Sequence, residues 1–367
     1  MSELFQYADD IGPAKVIGIY EPKLALRGIL VVDNVAAGPA IGGCRMASDV
    51  TLDECARLAR AMTMKNAAAG LPHGGAKSVI IADPKMPDDH KEQVIRAFAH
   101  AIGDIAEYIV GPHMGLNELA MAWVHDEIGR AVGLPREIGG IPLDEIGATG
   151  FGLAIAAEVA QDFCEVKIPR ARVAVQGFGA VGKHAARFLA ARGAVLVAAS
   201  DSSGTITNPK GIDIEALIAL KDRRRSVVEL PGGKRCDREA IVGVDCDIWI
   251  PAARPDVITM ANVDSLRAKL VLQGANIPVS PEAEDRLHQR GILSIPDFIA
   301  NAGGVICAAV EYRGGTQLSA LQTIEEKIRN NTRTVLDTMS LRRITPRKAA
   351  VDLARQRVVA AMSYRRF

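Results

Sequence analysis

The sequence predicts an α/β protein of two domains, the second built on a doubly wound parallel sheet with helices on both faces. Three observations carry this reading. A chain of 367 residues is longer than one ordinary core organises. Beyond about residue 151, short and almost fully apolar runs alternate with helical patterns, the rhythm of strands buried on both faces. Between the two halves lies GLPREIGGIPLDEIGATG, whose Gly and Pro suit a hinge. The expected boundaries are 1–140, 141–325 and, for a set of terminal helices, 326–367.

In the first half, VIGIY and GILVVDN read as strands punctuated by Gly and Pro. TLDECARLARAMTMKNA reads as a helix, with Thr51 as N-cap, Glu54 completing a capping box, and Cys55, Leu58 and Met62 at helical spacing. KSVIIADP is strand-like, DHKEQVIRAFAHAIGDI helical, and a further helix covers 118–132. In the second half a helix over 151–164 precedes the strand RVAVQGF, the helix AVGKHAARFLAARG and the strand VLVAASDSSG. CDIWIPAA, KLVLQGAN and GILSIPDFIANAGG follow, and the pattern is helical from about 318, with Thr345-Pro346 opening the last helix.

Composition excludes several function classes. Lys+Arg 44 against Asp+Glu 43 gives no electrostatic reason for nucleic acid or an anionic membrane as partner. The terminal arginines (Arg342, Arg343, Arg347, Arg355, Arg357, Arg365, Arg366) read as solvated helix faces. Cys44, Cys55, Cys164, Cys236, Cys246 and Cys307 lack CxxC spacing, so neither a disulfide framework nor a metal site is expected. No secretory signal and no run of membrane-spanning length is evident, which predicts a cytoplasmic protein.

Gly177-Phe178-Gly179-Ala180-Val181-Gly182 follows a strand, opens a helix and is followed by Asp201 at the end of the next strand. That context is the one a dinucleotide fingerprint requires, and the domain is therefore read as Rossmann-type. The glycines permit a tight turn, close approach of a pyrophosphate and close helix packing, while the helix N-terminus holds the phosphates. Asp201 is expected to accept hydrogen bonds from ribose hydroxyls, favouring NAD; Ser202, Ser203 and Lys210 leave NADP open.

MTMKNAAAGLPHGGAKSVI sets Lys65 and Lys77 twelve residues apart around a glycine turn. With GPHMGLNELAMAW, IPLDEIGATGFG and PDFIANAGGV, this segment resembles the glutamate/leucine/phenylalanine/valine dehydrogenase family, in order from about residue 40 to 312. The resemblance implies a substrate domain with a mixed sheet, the Rossmann-type domain, and terminal helices packing back on the first domain. It also implies a homo-oligomer and reversible oxidative deamination of an L-amino acid to a 2-oxo acid and ammonia. By motif, Lys65 corresponds to the lysine gripping the α-carboxylate and Lys77 to the catalytic lysine, whose pKa burial and the Lys65 charge should lower. Thr149 and Asn301 correspond to residues that orient the nicotinamide, Asn276 to one near ribose and substrate, and Ala252 joins the cofactor set.

One departure stands out: His113 occupies the place of the family's catalytic aspartate. It implies a working substitute, a chain with impaired or no catalysis that only binds dinucleotide, or replacement by Asp126 or Glu118. The side-chain pocket departs too. Ile41, ahead of Gly42-Gly43, stands where glutamate-specific relatives carry lysine, and Ala308 where they carry serine. Without those partners a γ-carboxylate would lose several kcal/mol. With Met62 as a further wall, the expectation is an apolar substrate of the leucine, valine or phenylalanine type, with glutamate as the alternative.

Overall fold

The computed structural model describes residues 5–366. In chain order the strands are β1 (Lys15–Glu21), β2 (Leu26–Asn34), β3 (Ala40–Ala47), β4 (Gly75–Ile81), β5 (Tyr108–Pro112), β6 (Arg172–Gln176), β7 (Val195–Asp201), β8 (Gly204–Thr207), β9 (Lys234–Cys236), β10 (Ile248–Pro251), β11 (Leu270–Leu272) and β12 (Leu293–Ile295). The helices are α1 (Leu52–Ala68), α2 (Asp88–Ala101), α3 (Glu118–Ile128), α4 (Ala148–Ala160), α5 (Ala180–Ala190), α6 (Ile214–Asp222), α7 (Pro281–Gln289), α8 (Asp297–Ala300), α9 (Gly303–Tyr312), α10 (Gln317–Arg342) and α11 (Pro346–Met362). Two compact units result. One holds residues up to Leu143, Val305–Ala320 and the chain from Asp352; the other holds Asp144–Gly304 and Leu321–Val351. Where the sequence suggests a break at 140 and a terminal block from 326, the division instead falls at 143 and runs through α9, α10 and α11.

The first unit carries a five-stranded mixed sheet, ordered β1-β2-β4-β3-β5. β2 pairs antiparallel with β1 and β4, and β3 pairs parallel with β4 and β5. β2 to β5 are largely buried on both faces, while β1 at the edge is mostly exposed or half-buried. Leu30, Val32, Cys44, Met46, Ala76, Ile80 and Val110 pack with Phe98 of α2 and Met121 of α3. Val31 and Val79 pack under Cys55, Ala56 and Ala59 of α1. Each large side chain so buried contributes about 1.5–3 kcal/mol, which locks the register and with it the face on which every polar residue of β3 and β4 emerges.

Thr51 caps α1 as expected, accepting from the Glu54 amide at 3.2 Å, but the Glu54 carboxylate turns away from the cap to pair with Arg45. α3 stops at Ile128, four residues short of the expected end, because Gly129 takes a left-handed conformation (φ 66) and closes it. On α9, Glu311 is buried and fixes the 133–141 segment by accepting from the amides of Gly133 (2.7 Å), Leu134 (3.1 Å) and Ile141 (2.8 Å).

The second unit carries a seven-stranded sheet, β12-β11-β10-β6-β7-β8-β9. It is parallel from β12 to β7 and continues antiparallel through β8 and β9. The expected doubly wound sheet is present, and the antiparallel edge is an addition the apolar pattern does not announce. Strand order reverses between β10 and β6, the place where such sheets open a crevice at their carboxyl ends.

Candidate active site

In the first unit, the expected site residues are titratable side chains gathered around β3 and β4. Lys77 sits on β4 opposite Val31 of β2, on the α1 face of the sheet, and is only 3% exposed. Burial, foremost, lowers its pKa from 10.5 to about 8, a penalty of roughly 3 kcal/mol on the charged form. Arg45 adds to the lowering; Lys65, from which a lowering is expected by sequence, is not among the leading causes. Gly43 of β3 makes the space. A Cβ there would stand 3.2 Å from Lys77 Nζ, 3.1 Å from His113 Cβ and 3.0 Å from the Pro112 carbonyl oxygen. Gly43 thus marks the point where Lys77 and His113 converge, and no larger residue fits without displacing them.

His113 follows β5 directly and is half-buried. Burial first, then the charges of Lys77, Arg45 and Lys65, lower its pKa from 6.5 to about 3. The ring is therefore neutral at physiological pH, which removes the repulsion that an imidazolium would exert on Lys77 or on a substrate ammonium. Its Nδ1 is buried with no hydrogen-bond partner. Lys65 lies in the last turn of α1 and is half-buried. Beside it, fully buried Asn66 donates to the Ile41 carbonyl (3.2 Å) and the Gly74 carbonyl (2.6 Å), tying the helix end to β3 and to the glycine turn before Lys77. Gly43, Arg45 and Asn66 carry no signal of their own in the sequence. The first two follow Gly42, and Asn66 follows Lys65, so only their burial and contacts distinguish them.

Ile41 is buried on β3 and Ala308 on α9, at 3% and 7% exposure, and Met62 is half-buried on α1. Gly42 accepts a hydrogen bond from the Tyr108 hydroxyl at 3.0 Å. Asp126 does not join the site: it is bound to Arg96 at 2.7 Å with most of its side chain in solvent. Glu118, exposed, opens α3.

In the second unit the expected site is shaped mainly by backbone. Gly177 adopts φ +90, and a Cβ there would stand 2.6 Å from that of Ala253; one at Gly182 would meet the Gly177 carbonyl oxygen at 2.1 Å. Nothing lies within 4 Å of a Cβ on Gly179, so the turn is open in front of the uncapped N-terminus of α5, with Ala180 and Val181 in its first turn. An open turn before a free helix N-terminus is a shape that fits a pyrophosphate. The Ala252 amide donates to the Gln176 carbonyl at 2.7 Å, and those of Gly274 and Ala275 to the Pro251 carbonyl, so the ends of β6, β10 and β11 converge. Asn301 Nδ2 donates to the carbonyls of Gly274 (3.4 Å) and Ala275 (3.2 Å) and to Asn276 Oδ1 (3.1 Å), while its Oδ1 stays buried and unpartnered. A Cβ on Gly303 would meet the Ala148 carbonyl oxygen at 2.1 Å and Thr149 Cα at 3.2 Å, which brings the start of α4 against the Asn301 turn. The orphan amide oxygen and the open turn fit a dinucleotide with a carboxamide at one end.

Asp201 is placed otherwise than expected. Its Oδ1 accepts from the Ser203 amide (3.0 Å) and the Ser226 hydroxyl (2.9 Å), and its Oδ2 from Lys221 Nζ (2.8 Å) and the Val227 amide (2.9 Å). With two bonds on each oxygen the carboxylate is saturated by its own chain, and its charge is paired. Lys221 and Ser226 were not foreseen, for they lie beyond the strand that carries Asp201.

Among the described residues, no group of three or more His, Cys, Asp or Glu is placed to hold a metal ion, and no helix is long and apolar enough to cross a membrane. The six cysteines are free.

A sequence profile of the Glutamate/Leucine/Phenylalanine/Valine dehydrogenase family matches residues 139–366, and one described as the Glu/Leu/Phe/Val dehydrogenase dimerisation domain matches residues 22–130. The chain belongs to this family. It is 37% identical to a glutamate dehydrogenase of Aeropyrum pernix, over 90% of this chain and 85% of that one. It is 36% identical to an NADP(+)-dependent glutamate dehydrogenase of Pyrobaculum calidifontis, over 95% and 88%. Its fold matches the crystal structure of a hetero-hexameric glutamate dehydrogenase from Thermus thermophilus in a Leu-bound form, with a TM-score of 0.84, 27% identity, and coverage of 95% and 89%. The chain is thus a member of an amino-acid dehydrogenase family with a Rossmann-type dinucleotide-binding domain.

Proposed function

We propose that this chain catalyses the reversible oxidative deamination of L-glutamate to 2-oxoglutarate and ammonia. The observation that carries the reading is similarity: relatives named as glutamate dehydrogenases align with 90% and 95% of this chain, which turns the reading away from the apolar substrate expected from the sequence. The basic character of the site agrees with it, since Lys65, Lys77 and Arg45 all bear on His113 and such groups receive carboxylates. Lys65 grips the α-carboxylate. Lys77, with its pKa near 8, activates water as a general base. His113 exchanges a proton with the substrate nitrogen through a neutral imidazole. The dinucleotide, held by the Gly177–Gly182 turn and oriented by Thr149, Ala252, Asn276 and Asn301, supplies the hydride-transfer chemistry.

A second reading keeps an apolar substrate, favoured by buried Ile41 and Ala308, which offer a γ-carboxylate no partner. Turnover measured with glutamate, leucine, valine and phenylalanine decides. Glutamate alone active supports the first reading, an apolar residue alone active the second, and no turnover with intact dinucleotide binding would leave a binding protein disabled at His113.

For the dinucleotide, saturated and charge-paired Asp201 supports NADP(H) as a substrate alongside NAD(H). Tighter binding of NADH than NADPH by more than about tenfold, read by fluorescence, would reverse this. A homo-oligomer through the first unit is also proposed. β1 is an edge strand bearing Tyr20 at 67% exposure, and sedimentation of a clean monomer would refute it.

A further inference from the structure

We propose that Arg347, on the C-terminal helix α11, is a positioning residue for the dinucleotide site. It holds the strained turn that carries Asn276, and the inference rests on the reading of Asn276 and Asn301 as contacts at the nicotinamide end. Arg347 binds Glu284 through Nε and through Nη2 (2.8 Å), and the same Nη2 reaches Gln273 Oε1 (3.1 Å) and Asp297 Oδ1 (2.9 Å). Gln273, Glu284 and Asp297 are all buried. One guanidinium therefore fixes the end of β11, helix α7 and helix α8 together, with geometry that only a planar fork supplies.

Asp297 passes that anchoring on. Its second oxygen, Oδ2, accepts from the Ile277 amide at 2.8 Å, and its backbone carbonyl accepts from the Asn301 amide at 2.7 Å. Ile277 is a β-branched residue at φ +48, in the left-handed region such residues avoid. Its side chain does not explain the conformation, being 48% exposed. Strain of this kind persists only where the surroundings impose it, and it collects at functional sites. Here the imposed turn lies one residue beyond Asn276, whose Oδ1 accepts from Asn301 and helps aim the orphan Asn301 Oδ1. The relay is Arg347 to Asp297, Asp297 to the Ile277 amide, and Ile277 to the Asn276–Asn301 pair.

The test combines amide exchange by mass spectrometry on the full chain with binding and turnover. In the native protein the Ile277 amide should exchange slowly despite its exposed side chain. Arg347→Lys keeps a cation but loses the fork. It should speed exchange over 274–277 by about tenfold or more, leave Leu270–Leu272 protected, and lower kcat by about tenfold with dinucleotide affinity changed less than about twofold. Glycine adopts positive φ without strain, so adding Ile277→Gly to Arg347→Lys should restore kcat to within about threefold. Unchanged exchange in Arg347→Lys, or no rescue by glycine, overturns the proposal. If Arg347→Lys does not fold, fast exchange of the Ile277 amide in the native chain overturns it and slow exchange sustains it. Failure of the underlying reading shows separately, as absence of dinucleotide binding in the native protein.

Discussion

The lysine site of the first unit and the glycine turn of the second meet opposite requirements. The first concentrates charge where water is scarce: Lys77 at 3% exposure, its pKa near 8, beside a histidine held neutral down to about pH 3. The second keeps charge out, with backbone amides at an uncapped helix start and its one expected acid already paired with Lys221. On the proposed roles, reactivity in the first would depend on desolvation, which any change in packing alters, and recognition in the second on backbone shape, which tolerates change in neighbouring side chains. The two regions should therefore fail differently when altered.

The largest effect separates them outright. Lys77→Ala should lower turnover by about a thousandfold, within the range for loss of a general base, while dinucleotide affinity measured by fluorescence stays within about twofold. Retained turnover would remove Lys77 from the chemistry.

Next comes the side-chain pocket. Ile41→Lys should raise kcat/KM for glutamate relative to leucine by about a hundredfold, the value of a charge-assisted contact of roughly 3 kcal/mol. A fall in that ratio would mean that Ile41 does not face the side-chain carboxylate.

His113→Asp tests the electrostatics more finely. A carboxylate beside Lys77 favours its charged form, so the rising limb of the pH–rate profile should move upward from about pH 8 by about one unit. A limb that stays put would show that Lys77 does not sense position 113. Stability carries its own signature. The folded chain protonates His113 only near pH 3 and the unfolded chain near 6.5. Between those values the unfolded state holds more protons, and stability falls as pH drops from 6.5 towards 3. Denaturant midpoints of His113→Gln should lose that part of the slope.

The smallest effect belongs to the second unit. Lys221→Met leaves Asp201 charged without its partner and should shift the NADPH-to-NADH affinity ratio towards NADH by about fivefold, the scale of one partly exposed ion pair. No shift would place Asp201 and Lys221 outside the ribose site.

Much of this arrangement was legible in the chain itself. The two-part α/β plan follows from apolar periodicity and the glycine turn from its spacing, while Lys65, Lys77, Thr149, Asn276 and Asn301 are proposed site residues on family resemblance alone. These are local signals, set by residues within one or two turns of each other. What the tertiary structure decided depends on groups far apart in sequence. Gly43 is silent until β3 lies between β4 and β5 and its missing side chain becomes the room for Lys77 and His113. Whether His113 carries a charge is fixed by burial and by cations at positions 45, 65 and 77. Asp201 reads as a ribose ligand by position, yet Lys221, Ser226 and Val227 fold back to occupy it. Arg347 reads as one more surface arginine, yet it closes a buried network with Glu284 and Asp297. Periodicity and motif spacing determine which elements form. Desolvation and hydrogen-bond saturation depend on what the completed fold brings together, and these decide what a titratable side chain does.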